Sequence, residues 1–244
     1  MGTYNINDIK SLKNNYTDLP EKIRIYLEKS KLKNRQRKPI SILDKVCSDD
    51  EKFSNHIRSL LNKVNIDNYY TIIPKIKINT QKELEIFVQI LLEKVIVEEQ
   101  YAEVYAKLSY SLAQEDIIIK MENNIITFRK LLLLYCRKAF IKFTEQQNVK
   151  RTEAIAFVSF LGELFNKGML SLVVTLGCFD ELIKKCNPIC VDMIVALFNH
   201  STKTLLVKYN IKHKELVDKL KTLSKNKNLH MREQVVLEDL LIKY

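Results

Sequence analysis

Residues 84–96, LEIFVQILLEKVI, repeat apolar side chains at spacings of three and four. The apolar positions are Leu84, Phe87, Val88, Leu91, Leu92, Val95 and Ile96. Because an α-helix turns once in about 3.6 residues, this spacing places all of them on one buried face. The same spacing recurs over residues 128–143 and 157–165, and Gly168 follows as a residue typical of helix ends. The segment therefore predicts a helical protein with repeated amphipathic helices.

Other helices follow at regular distances. Asp49 and Asp50 offer an N-terminal cap to a first helix, and Thr80 or Asn79, with Glu83 behind them, caps the next. Long helices are expected to begin near residues 50, 80, 124, 169 and 204, and the later helices to span 169–185, 188–200, 204–222 and 229–243. Spacings of about 30–45 residues are typical of HEAT-like hairpins. We therefore predict an all-α fold, an α-solenoid of about five HEAT-like helical hairpins, with a closed helical bundle as the alternative.

Composition supports this class and excludes others. The 244 residues contain four glycines and four prolines, too few for β-sandwiches, barrels or glycine-rich phosphate loops. Five cysteines without a secretory signal indicate a reducing compartment. No apolar run is long enough to span a membrane, so we expect no membrane association.

The sequence contains no recognisable catalytic or metal-binding motif. The four histidines are isolated in the sequence, and Cys186 and Cys190, four residues apart, fit no zinc-binding spacing. Cysteines on helices at such positions usually act as small buried apolar groups. We therefore expect no enzyme activity, no cofactor and no metal site.

The net charge of +11 is unevenly distributed. Residues 1–40 contain ten basic and four acidic groups, residues 41–202 are neutral, and residues 203–232 contain nine basic and two acidic groups. Two basic ends on a neutral body favour a polyanionic partner. We expect residues 1–45 to be a flexible basic arm and residues 46–244 the helical domain.

Several segments together resemble one family, the middle domain of the eukaryotic translation initiation factor 4G scaffold. The similar segments read FSNHIRSLLNKVNIDNY at 53–69, ILLEKVIVEEQYAEVYAKL within 84–112, FRKLLLLYCRKAFIKF at 128–143 and FVSFLGELFNKGML at 157–170, and residues 230–243 resemble the closing helix. The resemblance implies a crescent of five HEAT-like hairpins that holds the two lobes of a DEAD-box RNA helicase of the initiation factor 4A type. It also implies a non-catalytic role.

The resemblance assigns helicase contacts to Asn62, Lys63, Arg129 and Lys130. For Asn62 the alternative is a helix-capping role, and for Arg129 and Lys130 it is an intramolecular salt bridge. Gly162 is expected to allow close helix packing. The chain departs from the family in having no tryptophan, and in a short loop at Gln146–Arg151 where a basic insertion is usual.

The amino-terminal arm carries two further predictions. Tyr4, Ile9 and Leu12 partly match the family's Tyr-x-x-x-x-Leu-Φ motif for the cap-binding protein (initiation factor 4E type), with Ile9 in place of leucine and Lys10 at the Φ position. The alternative is a chance pattern in a polar tail. A second stretch is expected to bind mRNA phosphates, with a solvated linker as its alternative. Its basic residues are Lys29, Lys31, Lys33, Arg35, Arg37 and Lys38.

These features together predict a translation-initiation scaffold, cytoplasmic, or in the host cytoplasm if the source is viral. Its expected partners are a DEAD-box helicase, mRNA and a cap-binding protein. One alternative is a module of the same fold in splicing, exon-junction assembly or nuclear RNA processing that clamps a different DEAD-box helicase. Another is a helicase-independent RNA-binding solenoid, with Lys203–Arg232 as a second basic surface.

Overall fold

The computed structural model describes residues 48–115, 118–121, 124–146 and 149–243. These residues form ten α-helices and one short β-hairpin. The helices are α1 Asp49–Leu61, α2 Tyr69–Ile72, α3 Gln81–Val97, α4 Ala102–Gln114, α5 Phe128–Glu145, α6 Arg151–Asn166, α7 Leu172–Lys185, α8 Pro188–Lys208, α9 Asn210–Ser224 and α10 Met231–Ile242. The strands are β1 Ile118–Met121 and β2 Asn124–Thr127, which pair antiparallel with Ile118 opposite Thr127.

The helices begin where short polar side chains can accept backbone hydrogen bonds. Thr80 caps α3 and forms a capping box with Glu83, as the sequence predicts. At α1 the cap is Ser48, which pairs with Glu51, so Asp49 and Asp50 are the first two residues of the helix instead of its cap. Their negative charges there still favour the positive end of the helix dipole.

The odd-numbered helices form one parallel row. Asp50 and Lys82 pair near the beginnings of α1 and α3, and Arg58 pairs with Glu93 at 2.7 Å near their ends. A first contact near the beginnings and a second near the ends require two helices to run in the same direction. The same holds for α5 and α7, because Arg129 contacts the turn before α7 and Lys185 contacts the carbonyl of Thr144.

The even-numbered helices form a second parallel row. Arg151 at the beginning of α6 contacts Asp192 near the beginning of α8, and Asn166 at the end of α6 accepts a hydrogen bond from Thr204. In both rows, contacts between successive repeats join residues 32 to 46 positions apart. A similar separation between contacts, with the same helix direction, is the property of a repeat array. The fold is thus an all-α solenoid of helical hairpins, as predicted, and not a closed bundle.

The apolar stripes identified in the sequence form the core of this array. Leu84, Phe87 and Leu91 of α3 are buried, as are Phe128 and Leu132 of α5. The rings of Phe87 and Phe128 lie 5.7 Å apart and join two repeats. Each hairpin therefore covers the apolar face of its neighbour. An isolated hairpin of this type would expose that face to water.

Two predicted helix boundaries are wrong. No helix begins at residue 124, because residues 124–127 form β2 and Thr127 caps a helix that begins at Phe128. The predicted break between residues 200 and 204 is also absent, since α8 continues to Lys208. The polar residues there look like a helix cap, but Ser201 donates its hydroxyl back to the carbonyl of Leu197 at 2.6 Å, which is compatible with a continuous helix.

The two cysteines four residues apart do not share a helix. Cys186 is the C-cap of α7 in a left-handed conformation with φ of 48°, whereas Cys190 is buried in the first turn of α8. Within the described ranges, no three His, Cys, Asp or Glu side chains cluster in a way that could hold a metal ion. In the same ranges, no helix combines the length and the apolar character needed to cross a bilayer.

Helices α6 and α8 approach each other closely at Gly162 of α6. A Cβ atom at this position would lie 2.6 Å from the Cβ of His200 on α8, well inside van der Waals contact. Glycine is therefore required here by the spacing of the helices, as the sequence predicts. Gly168, by contrast, is required by its backbone, since its φ of 72° ends α6 in a left-handed residue.

We expect Gly162→Ala to destabilise the protein by about 1–3 kcal/mol, because the added methyl group must push α6 and α8 apart. The measurement is the free energy of unfolding in urea, followed by circular dichroism. Gly177→Ala is the matched control: Gly177 lies within α7 and has open space where its Cβ would be. It should be more stable than the wild type by about 0.5–1 kcal/mol. Equal stability of the two variants would contradict the assignment.

Candidate functional site

Asn62 and Lys63 lie in a turn that is fixed by its own hydrogen bonds. Asn62 is the C-cap of α1, and its backbone N–H donates to the carbonyl of Arg58 at 3.0 Å. The side chain of Asn68 donates to the carbonyl of Lys63 at 2.8 Å, and Asn65 accepts from the backbone of Asn68 at 2.9 Å. The capping role of Asn62 is thus performed by its backbone. Its exposed side chain, like that of Lys63, has no polar partner in the described part of the chain.

Arg129 and Lys130 begin α5 and have different surroundings. The Nη2 of Arg129 donates to the carbonyls of Gly168 and Met169, both at 3.1 Å, and so ties α5 to the turn before α7. The predicted alternative of a salt bridge is not found, because both partners are backbone carbonyls. Lys130 is exposed, and no carboxylate among the described residues pairs with it.

The structure does not bring these two pairs together. Asn62 and Lys63 follow the C-terminal end of α1, whereas Arg129 and Lys130 lie at the N-terminal end of α5. Because the odd-numbered helices run parallel, opposite helix ends lie on opposite edges of the row. The four residues therefore form two separate points on the array.

A polar network between the even-numbered helices was not found from the sequence. Asp192 is buried on α8 and accepts hydrogen bonds from Arg151 of α6 at 2.7 Å and from Arg232 of α10 at 3.2 Å. It thereby joins three successive repeats with two charge-assisted contacts. Hydrogen bonds to Glu233 and Asp192 raise the pKa of Arg232 above its ordinary value.

A second network surrounds the close approach of α6 and α8. The Nδ1 of His200 lies 2.8 Å from a carboxylate oxygen of Glu163, and Asn166 donates to the carbonyl of His200 at 2.7 Å. Burial by itself raises the pKa of Glu163. Hydrogen bonds from His200 and Asn166, together with the charges of His200 and Lys167, outweigh burial and hold that pKa below its ordinary value. Glu163 is thus a charged structural partner.

The basic surface predicted at Lys203–Arg232 is partly neutralised by the fold. Lys212 pairs with Glu215 at 2.7 Å, Lys219 with Asp180 at 2.5 Å and Lys221 with Asp218 at 3.4 Å. Arg232 is occupied by Asp192 and Glu233. The lysines of this surface without a carboxylate partner in the described ranges are Lys203, Lys208, Lys214, Lys225 and Lys227.

The residues assigned to the amino-terminal arm lie outside the described residues. They are the cap-binding-protein motif, Tyr4, Ile9 and Leu12, and the RNA-binding stretch, Lys29, Lys31, Lys33, Arg35, Arg37 and Lys38. Both assignments remain predictions from the sequence.

Comparison with known proteins finds relatives among translation initiation factors. The chain is 21% identical to eukaryotic translation initiation factor 4 gamma 1 of Mus musculus over 80% of its own length and 14% of that protein. It is 21% identical to eukaryotic translation initiation factor 4 gamma 3 of Homo sapiens over 84% of its length and 15% of the relative. For eukaryotic translation initiation factor 4G of Cucumis melo the identity is 24%, over 57% of this chain and 9% of the relative.

The chain thus spans only a small part of the length of these relatives. The family model of the MIF4G domain matches residues 36–241, which include every described helix except the last residue of α10. This match agrees with the α-solenoid and with the segments that resemble initiation factor 4G. The chain belongs to the MIF4G domain family.

Proposed function

We propose that this protein is a non-catalytic translation-initiation scaffold that binds a DEAD-box RNA helicase of the initiation factor 4A type and stimulates it. The observation that carries the proposal is the MIF4G domain over residues 36–241, with its similarity to initiation factors 4G. A scaffold of this kind acts by holding a two-lobed enzyme in one orientation. Such preorganisation lowers the entropy lost when the lobes close.

The arrangement of the exposed residues is suited to that task. Asn62 and Lys63 lie on one edge of the row of odd-numbered helices, and Lys130 lies on the other, beside Arg129, which is fixed to the neighbouring turn. The distance between these points is set by packed helices and interhelical ion pairs. Two contact points at a fixed distance can hold the two lobes of a helicase in one relative orientation.

The proposal extends to the arm. Lys29–Lys38 would bind mRNA through its phosphates, and Tyr4, Ile9 and Leu12 would bind a cap-binding protein of the initiation factor 4E type. The site of action would then be the cytoplasm. An exon-junction or nuclear RNA-processing role on the same fold predicts inhibition of the helicase instead of activation, so the sign of the ATPase effect distinguishes the two roles.

We expect the protein to raise the RNA-dependent ATPase rate of a purified initiation factor 4A. Asn62→Ala with Lys63→Ala should weaken helicase binding about tenfold, the cost of about 1.4 kcal/mol of lost contact. Binding is measured by fluorescence anisotropy, and ATP turnover by phosphate release. Lys52→Ala is the control, because Lys52 is an exposed lysine near the beginning of α1, whereas Asn62 and Lys63 follow its end. Absence of both binding and stimulation by the wild type would contradict the proposal.

For the RNA-binding stretch, the dependence of affinity on salt is the diagnostic quantity. If all six basic residues of Lys29–Lys38 contact phosphates, the plot of log affinity against log salt has a slope of about −4, from about 0.7 per phosphate of a single strand. Replacing the six by glutamine should remove that contribution in titrations with oligo(U). A slope that does not change would assign RNA binding to another surface, with Lys203–Arg232 as the next to be tested.

The cap-binding motif is tested by Tyr4→Ala with Ile9→Ala. In a pull-down with purified initiation factors 4E and 4A, this variant should lose the cap-binding protein and retain the helicase, because the motif and the helical domain are separate binding parts. Retention of the cap-binding protein at wild-type level would show that the pattern at Tyr4 arose by chance.

A further inference from the structure

Two lysines of α5 have no carboxylate partner among the described residues. Lys138 and Lys142 lie one helical turn apart, and both are exposed. Like charges at this spacing repel each other and so disfavour the helix. By contrast, Arg58 of α1, on the same row of helices, pairs with Glu93 of α3 at 2.7 Å. The stability of the array therefore does not explain the two unpaired cations.

Both lysines line one apolar groove between α3 and α5, which has a volume of about 300 Å³. The buried side chains of the lining include those of Leu92, Phe143 and Phe157. Ile96 of α3 and Ala139 of α5 line it as half-buried side chains. We call this space, with Lys138 and Lys142 at its α5 side, the α3–α5 groove. It combines an apolar interior with two ammonium groups on the same helix.

The other polar side chains of the α3–α5 groove have partners within the chain. Gln89 donates its side-chain amide to the hydroxyl of Tyr135 at 3.3 Å. Glu93 is the acidic residue of the lining, and Arg58 lies 2.7 Å from its carboxylate, so the charge of Glu93 is compensated. The ammonium of Lys138 lies 5.1 Å from the ring centre of Tyr135, a favourable contact that leaves its charge unpaired. The uncompensated charge of the groove is therefore positive.

We propose that the α3–α5 groove binds an acidic amphipathic helix of a partner protein. Large apolar side chains of that helix enter the groove and contact Phe143 and Phe157. Its carboxylates, one helical turn apart, pair with Lys138 and Lys142. A groove between two neighbouring helices admits a third helix along it, and apolar anchors at positions i, i+3, i+4 and i+7 are the usual means of binding there.

The chemistry of the groove favours a peptide over RNA. A nucleobase has polar atoms along its edges, and burying them without hydrogen bonds costs free energy. The side chains of Leu92, Phe143 and Phe157 offer no hydrogen-bonding atom to such an edge. One face of the Tyr135 ring, on which a base could stack, is covered by the ammonium of Lys138. An apolar side chain of a peptide has no polar atoms to satisfy, and its neighbouring carboxylates use the two lysines.

The test is a selection from a displayed library of random peptides, each long enough for about four helical turns, on the intact protein. We expect the selected peptides to combine Asp or Glu with large apolar residues at helical spacing. Their affinity, measured by fluorescence anisotropy, should fall about tenfold or more for Lys138→Glu with Lys142→Glu. It should fall similarly for Ala139→Phe, because the added ring occupies the groove. Lowering the salt concentration should raise the affinity of the wild type.

Arg137→Glu is the matched control for Lys138→Glu. Arg137 is the neighbouring exposed cation of the same helix and also has no carboxylate partner in the described ranges. It lines a different pocket, between α5 and α7. Both variants change the net charge by the same amount, so only Lys138→Glu should weaken binding of the selected peptides. Circular dichroism of each variant verifies that it is folded.

Three outcomes would overturn the proposal. The first is that no acidic amphipathic peptide is selected, and the second is that Arg137→Glu weakens peptide binding as much as Lys138→Glu does. The third is that oligo(U) RNA, and no peptide, loses affinity in the variant with Lys138→Glu and Lys142→Glu. None of these measurements uses the helicase, so their failure leaves the proposed function standing. A failure of helicase stimulation likewise leaves the α3–α5 groove to be judged by its own test.

Discussion

The approach of α6 to α8 at Gly162 fixes the spacing of these two helices. With no Cβ at this position, the backbone of α6 lies directly against His200, and the hydrogen bonds of Glu163, Asn166 and Thr204 follow from that distance. Asp192, near the beginning of α8, joins α6, α8 and α10 through two arginines. A methyl group at Gly162 would act on all of these contacts together, because packed interiors transmit small displacements.

The parallel direction of successive helices has a functional consequence. The ends of α1 and α3 lie on one edge and their beginnings on the other, and the same holds for α5 and α7. Residues far apart in the sequence, such as Lys63 and Lys130, are thus held at a constant distance by the core, although neither contributes to it. A binding partner with two rigid parts would meet two contact points that are already in position. The entropy cost of positioning them is part of the free energy of folding and is not added on binding.

Some charged residues form ion pairs within the chain, whereas others have no partner among the described residues. Ion pairs between successive repeats, such as Arg58 with Glu93 and Lys219 with Asp180, neutralise much of the odd-numbered row. Helix α5 is different, because its cations have no carboxylate partner among the described residues. The net charge of the chain, +11, does not distinguish the paired cations from the unpaired ones.

The sequence alone determined the fold class, the repeat length and most of the core. The reason is local: apolar residues at helical spacing, capping boxes such as Thr80 with Glu83 and the left-handed Gly168 depend on neighbours within a few positions. It also indicated that Gly162 allows close packing. The family was recognisable for the same reason, since its motifs are segments of these helices.

Only the tertiary structure decided where some of the helices begin and end, and which side chains contact each other. The continuation of α8 through Ser201 depends on burial of Leu205 against other helices, and the strand at residues 124–127 on pairing with β1, so local propensity misplaced both boundaries. The contacts of Arg129, Arg151 and Arg232 with the preceding or following repeat reach residues about 40 positions away, beyond any local pattern. Which cations are paired and which stay free to bind a partner is therefore a property of the packed repeats, because packing sets the distances over which charges interact.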